Sequence, residues 1–582
     1  MEFHVERTHL SDHFEKIYGE KTSRELLEQI QEKISDYQQA IQGAEHPYTL
    51  SQEDVVLITY GDQFFEPGQK PLQTLHTFCR DVLGSAFNTV HILPFFPYSS
   101  DDGFSVIDYY HVDPALGDWD DIQAIASDFR LMVDGVFNHV SRSSGWFQRF
   151  IQGEEPYRDY FISVEPGTDL SQVVRPRTLP LLTAFQTSEG QKMVWTTFSD
   201  DQVDLNFASP QLFLEITDVM LTYVRQGARI IRIDAVPFLW KEIGTDCIHR
   251  PQTHALVKAW RAILDLVAPK VLLITESNVP FAENISYLGQ PKDDDPSETD
   301  EAQLVYQFSL GPLILHTFLK GNASKISRWV SSLPQPYRYF NFIASHDGIG
   351  LNPAAGILSQ TEIDALIQTT QSHGGRLSYK KDGDGVEKVY ELNITLYDFL
   401  NDPRQPQHAL DIERFLASQA IMLSLAGVPA VYVHSLFGSH NCLDCDEDSR
   451  HPRAINREKF RFTQVKATLA DPTHRQTLIF RRYLALLEQR RQHAAFAPFA
   501  RQEALMLDKR VFALLREDES CSEQILCIVN VTDETVELEL PPMGWHSSVL
   551  YDLLSDLRVE LQDAPVTVLL QPYQSMWLCS RK

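Results

Sequence analysis

Residues 229–242 read RIIRIDAVPFLWKE, and the fold turns on this stretch. Ile230, Ile231 and Ile233 follow Gly227 as a short β-branched run, the composition of a strand buried on both faces. Arg232 and Asp234 stand two residues apart, so on a strand they share one face. Ionised groups are costly to bury unless they are paired or put to use. A structural ion pair and a working site both meet that requirement, and these residues alone do not separate them.

Similar apolar runs recur on either side. Residues 55–60, 90–94, 131–136, 271–276, 340–345 and 430–433 each read as a strand. Helical patterns such as 211–225, 251–267 and 409–426 lie between them. Strand and helix in alternation build βαβ units and a parallel sheet. Seven or eight such units predict a (β/α)8 TIM barrel over residues 51–495. A doubly wound sheet is the competing architecture, but no Gly-rich dinucleotide loop follows the first strand. Insertions at about 141–196 and 348–400 are long enough to shape a pocket on the barrel. Residues 1–50 read as a helical extension, with Leu26, Leu27, Ile30 and Ile34 at helical spacing. Residues 496–582 change character to short alternating strands, a separate antiparallel β domain. Residues 290–301 are acidic and read as a mobile surface loop.

A formal net charge of -28 argues against nucleic acid or an anionic membrane as partner, since no basic field attracts either. The start of the chain is charged, with no secretory leader, and no run of about 18 apolar residues suggests a spanning helix. Seven cysteines are few for 582 residues and read as reduced thiols, so a cytoplasmic protein is expected, monomer or homodimer. Cys442 and Cys445 form one Cys-x-x-Cys, with His440 and His451 nearby, but no second pair completes a zinc site. No metal and no cofactor are expected.

The polar residues that end the apolar runs carry the chemistry. Asp134, Asn138 and His139 follow one run, Asp234 another, Glu276 a third, and His346 and Asp347 a fourth. On a barrel these strand ends form the catalytic face. Two carboxylates that flank a glycosidic bond split it, one attacking carbon or activating water, the other protonating the departing oxygen. Arg232 beside Asp234 favours its ionised form. A metal site built from His139, His346 and the carboxylates is the other enzyme reading; the neighbouring Arg232 disfavours it, because a guanidinium repels a metal ion. No serine elbow and no phosphate-binding loop is present.

Residues 134–139 (DGVFNH), 232–235 (RIDA), Glu276 and 345–347 (SHD) strongly resemble the four sequence regions of the α-amylase superfamily, glycoside hydrolase family 13. The order and spacing match over roughly residues 50–460. The resemblance implies Asp234 as nucleophile, Glu276 as general acid/base and Asp347 as transition-state stabiliser, with Arg232, His139 and His346 lining a glucose subsite. Residues 244–249 (GTDCIH), 346–350 (HDGIG), 175–177 (RPR) and 453–457 (RAINR) look like the sucrose phosphorylase subfamily, in which phosphate takes the glucosyl group. By that likeness Asp101 and Arg453 bind the far end of glucose, Phe104 and Phe185 are apolar walls, and Arg177 and Tyr390 bind phosphate. Inorganic phosphate is then a co-substrate, and the partners are a small glucoside and phosphate.

The acceptor loop departs from the bifidobacterial pattern at Lys388 and Glu391, which puts sucrose in doubt. The chain is more similar to glucosylglycerol and glucosylglycerate phosphorylases, enzymes of compatible-solute breakdown. Lys380, Lys381 or Lys388 suits a carboxylate leaving group, whereas Glu391 suits the hydroxyls of neutral glycerol. The acidic charge fits a salt-stressed host and tips the expectation to glucosylglycerol. Glucosylglycerate is the alternative, then sucrose or sucrose 6-phosphate, or a non-catalytic sugar-binding barrel.

Overall fold

The computed structural model describes residues 2–41, 49–292, 298–381, 387–407, 409–446, 451–561 and 566–581. Eight parallel strands close into a barrel: β1 (Val56–Thr59), β2 (Thr89–Ile92), β3 (Arg130–Gly135), β4 (Ala228–Ile233), β5 (Leu272–Thr275), β6 (Leu304–Tyr306), β7 (Tyr339–Asn341) and β8 (Val428–Tyr432). Every residue of β1, β2 and β8 is buried, as expected of strands covered on both faces. In β4, Arg232 lies opposite Asp134 on one side and Ile274 on the other, so the register brings charge to charge across the barrel wall. Strand β6 is the one the apolar runs did not reveal; its three residues are too few to show a period.

The helices sit close to where the pattern put them. Helix Pro210–Arg225 opens with Pro210 after Ser209, whose hydroxyl accepts from the Leu212 amide at 3.4 Å. Helix Pro251–Val267 likewise starts on proline. The amino-terminal extension is two helices rather than one: α1 (Glu2–Tyr18) and α2 (Glu20–Ile41) meet at Gly19, whose φ of 78° suits glycine. The extension's remaining residues, 42–48, lie outside the described residues. Leu10, Phe14, Leu26, Ile30, Ile34 and Tyr37 are buried. Phe14 meets Phe213 edge-on at 5.3 Å, and Phe213 stacks on Trp260 at 5.7 Å.

Both long connections form small antiparallel sheets. After β3, Ser163–Val164, Leu182–Thr187 and Gly190–Trp195 make one, and His139–Ser141 pairs with Gln202–Asp204. After β7, Ile349–Gly350, Glu387–Asn393 and Arg376–Lys381 make another. At the carboxyl end, a six-stranded antiparallel sheet and a two-stranded ladder enclose a second core around Leu526, Ile528 and Leu578. The buried Arg516 ties it to the barrel, donating to the carbonyls of Ser424 and Ala497, each at 2.8 Å.

One expectation changes. Cys442 and Cys445 are joined as a disulfide, so they are neither free thiols nor zinc ligands. The acidic stretch 290–301 is anchored at its flanks, with Lys292 N donating to Glu298 O and Asp300 N to Gln290 O, each at 3.0 Å. Residues 293–297 of that stretch lie outside the described residues. No helix among the described residues is long and apolar enough to cross a membrane.

Candidate active site

At the carboxyl ends of the strands opens a cavity of about 930 Å³, counting its open mouth. Asp234, Glu276 and Asp347 line it together with Asp101, Phe104, His139, His346, Arg177, Tyr390, Glu391 and Arg453. The size suits a ligand of two small units rather than a polymer.

Arg232 is buried behind the carboxylates and outside the cavity lining. Its Nη1 donates to Asp134, and to Asp234 Oδ1 at 3.0 Å, while Nη2 lies 4.0 Å from Glu276 Oε2. The rings of Tyr306 and Phe104 flank the guanidinium at 5.1 and 5.8 Å. Arg232 is therefore a structural partner of Asp134 and a contact of both candidate catalytic carboxylates, which answers the question the stretch 229–242 left open. His91 Nε2 bonds the second oxygen of Asp134 at 2.8 Å. Burial would raise Asp134, but Arg232 and His91 outweigh it and hold the carboxyl below its ordinary value.

The chain turns sharply after Asp234. Ala235 has φ 49°, a left-handed conformation that costs an alanine about 1 kcal/mol. The turn brings the Ala235 amide to Glu276 Oε2 at 2.9 Å, so the strand carrying one carboxylate orients the other. Burial raises Asp234, with Arg232 and His139 opposing. Glu276 is pushed up to about 7, first by burial; Arg232 opposes, while Asp234 and Asp347 add to the rise. Asp347 goes the other way: burial would raise it, but Arg453, His346 and Arg457 hold it well below the usual carboxylate range. Three carboxyl groups in one cavity are thus set apart, the arrangement from which acid and base roles arise.

His346 stacks on Phe104 with ring centroids 5.1 Å apart, and burial lowers it to about 3, so it is a neutral imidazole. His139 donates from Nε2 to the Phe104 carbonyl at 2.8 Å and accepts at Nδ1 from Asn138 at 3.2 Å. Behind it, the buried ammonium of Lys241 holds Asn138 Oδ1 at 2.8 Å, Asp204 Oδ2 at 2.9 Å and the Leu205 carbonyl at 3.3 Å. Ser277 Oγ, Asn278 Oδ1 and His346 Nδ1 are buried at the cavity with no hydrogen-bond partner among the described residues. Such groups suit a polyhydroxylic ligand.

Around the mouth, Arg453 Nη1 meets Asp347 Oδ1 at 2.5 Å, and Nη2 and Nε clasp Glu391 at 2.6 and 3.1 Å. Arg457 pairs with Asp102 and donates to the His346 carbonyl at 2.9 Å. Arg177 donates to the Tyr390 hydroxyl at 3.1 Å and lies over the rings of Phe198 and Tyr390. The 174–177 segment is held by Val174 N donating to the Asp246 carbonyl at 2.9 Å. The site thereby engages the 244–249 segment.

Besides Arg232, two expected residues do not line the cavity. Phe185 packs on Phe147 at 4.8 Å, because alternation along Leu182–Thr187 turns it away, and Phe198 and Phe238 form the apolar wall instead. Lys388 is exposed and lies outside the cavity lining, whereas Lys380, opposite it in the ladder, lines the cavity. Phe198, Phe238, Asn278 and Asn352 also line it, and nothing in their local sequence marked them. Arg457 stood in plain view within residues 453–457, four places after the arginine that was singled out.

Residues 83–350 match the α-amylase catalytic domain, and residues 503–577 match the maltogenic amylase C-terminal domain. The chain is 48% identical to a glucosylglycerate phosphorylase of Spirochaeta thermophila, over 93% of this chain and 92% of that one. It is 27% identical to a glucosylglycerol phosphorylase of Marinobacter adhaerens, over 77% of this chain and 89% of that one. In fold it is similar to the sucrose 6F-phosphate phosphorylase of Thermoanaerobacter thermosaccharolyticum, with a TM-score of 0.72 and 24% identity, over 90% of this chain and 99% of that one.

Proposed function

Because this chain belongs to the α-amylase family, we propose that it is a configuration-retaining α-glucoside phosphorylase that converts glucosylglycerate and phosphate to α-glucose 1-phosphate and glycerate. One observation carries the chemistry: a single buried guanidinium, Arg232, lies 3.0 Å from Asp234 and 4.0 Å from Glu276. Two carboxylates gathered on one side chain suit a close pair, and a separation of about 5 Å goes with retention.

Asp234 attacks the anomeric carbon while Glu276, protonated near neutral pH, gives its proton to the departing glycerate oxygen. The C1–O bond breaks as the ester to Asp234 forms. A phosphate oxygen then attacks C1 as the ester bond to Asp234 breaks, and Glu276 takes a proton from the incoming hydrogen phosphate. Asp347 stays ionised and stabilises the positive charge that develops on the ring. Arg177 and the Tyr390 hydroxyl receive the phosphate.

Glucosylglycerate replaces the glucosylglycerol expected from the acidic charge. The higher identity to a glucosylglycerate phosphorylase supports it, and so does the acceptor side of the cavity. Glu391, assigned to glycerol hydroxyls, has both oxygens engaged by Arg453, while Lys380 lines the cavity. The test is product analysis. Glucosylglycerate incubated with the protein yields glucose 1-phosphate only when phosphate is supplied. Free glucose released at the same rate without phosphate identifies a hydrolase and overturns the reading.

A further inference from the structure

Ile248 lines the cavity, yet neither it nor its neighbours in residues 244–249 (GTDCIH) have a task in the chemistry above. We propose that this turn positions the phosphate arm, residues 175–177, against the nucleophile, and so serves the second half-reaction and not the first. The inference rests on the phosphorylase reading above and names what holds its phosphate seat in place.

The turn is strained, and the strain has a use. Cys247 has φ 56° and His249 has φ 51°, both in the left-handed region that favours glycine. Thr245 supports the first of them: its hydroxyl donates to the Glu242 carbonyl at 2.7 Å and accepts from the Cys247 amide at 3.2 Å. The buried Cys247 thiol donates to the same carbonyl at 3.3 Å. His249 Nδ1 bonds the Tyr287 hydroxyl at 2.8 Å. So shaped, the turn holds two segments at once. The Asp246 carbonyl accepts from the Val174 amide at 2.9 Å, and the His249 amide donates to the Pro237 carbonyl at 3.1 Å. Val174 lies three residues before Arg177, and Pro237 lies three residues after Asp234. A small apolar core joins the same parts, since Cys247 packs with Val173, Leu181 and Trp195 of the insertion. The arm is thereby tied to the loop of the nucleophile as well as to the insertion that carries it.

A phosphate oxygen attacks C1 from about 3 Å, and a misplacement of about 1 Å is costly. Arg177 aims phosphate well only if its backbone is fixed relative to Asp234. The rings of Phe198 and Tyr390 hold the guanidinium, and the turn holds the main chain. Phosphate takes no part in the first bond-breaking step, so the rate of that step does not depend on where phosphate is aimed.

The experiment measures phosphorolysis of glucosylglycerate by the wild type, Thr245→Val, Thr245→Ser, Cys247→Val and Arg177→Met. In a double displacement, kcat/KM for glucosylglycerate reports the first half-reaction and kcat/KM for phosphate the second. Thr245→Val keeps the shape of the side chain and removes its two bonds. It lowers kcat/KM for phosphate by about 10- to 100-fold and leaves that for glucosylglycerate within about 2-fold. Thr245→Ser keeps the hydroxyl and the wild-type values. Cys247→Val, whose branched side chain resists the left-handed region, gives the same selective loss, and either turn variant suffices where the other fails to fold. Equal losses on both substrates, an unchanged value for phosphate, or a loss in Thr245→Ser as deep as in Thr245→Val overturns the inference. A loss for phosphate in Arg177→Met with none in the turn variants overturns the inference alone. No loss for phosphate in Arg177→Met overturns the phosphate role of that residue, and the inference with it.

Discussion

Glu276 holds its proton near neutral pH because burial outweighs the pull of Arg232. That has a catalytic and a thermodynamic consequence. In the proposed mechanism it is the general acid and enters the first step protonated, so kcat/KM for the glucoside is expected to fall as pH rises through about 7. A folded-state value above the unfolded one means that the native protein binds this proton more tightly. The associated stability is fully present below the ordinary glutamate value and is lost as pH rises through about 7. Glu276→Gln keeps an oxygen for the Ala235 amide and removes the charge. It abolishes turnover, yet at pH 8 it is more stable than the wild type by about 1–3 kcal/mol. Thermal melts at two pH values check this: the gain appears at pH 8 and vanishes at pH 5, and equal melting temperatures at both sink the assignment.

The ladder His139–Ser141 with Gln202–Asp204 joins the first insertion to the barrel, and Lys241 fastens it from below. Burial lowers Lys241 while Asp204 opposes, so the ammonium stays only because its oxygens are in place. Lys241→Met leaves the fully buried Asp204 carboxylate without its cation, at a cost of about 3–5 kcal/mol. Asp204→Asn added to it recovers part of that loss. Denaturant unfolding of the two variants measures both effects, and no recovery in the pair argues against a charge origin. The elements that sequence reading found share a cause. Runs such as Ile230 to Ile233 are apolar because both faces are covered, and a carboxylate that ends such a run stands out against it. Strand β6 gave too few residues for a period. The walls Phe198 and Phe238 reach the cavity from turns whose placement depends on the assembled fold, and Phe185, beside them in type, faces Phe147 through alternation alone. Lys380 and Lys388 were indistinguishable as charges; only the ladder shows which one reaches the cavity.

Across the whole molecule, an aromatic path links the amino-terminal hairpin to the back of the site. Phe14 meets Phe213, Phe213 stacks on Trp260, and Trp260 lies 5.4 Å from Phe137, next to the strand that carries Asp134. Lys33 with Asp218 at 2.9 Å and the Tyr37 hydroxyl with Thr222 at 2.9 Å seal the edge. Removal of residues 1–48 uncovers the apolar faces of Phe213 and its neighbours. The shortened protein melts several degrees lower and self-associates, as light scattering and calorimetry can test; an unchanged melt and a monodisperse sample contradict it. Arg453 has a different reach. It grips Asp347 with one nitrogen and Glu391 with two others, so the hairpin on the cavity wall and the carboxylate given the stabilising role in the proposed mechanism hang from one side chain. New substrate ranges are therefore not to be had by transplanting the 376–393 hairpin from a relative. A graft without a carboxylate at Glu391 frees half of Arg453 and disturbs Asp347 before any new acceptor arrives. A change at the inner glutamate is thus felt at Asp347 before it is felt at any acceptor.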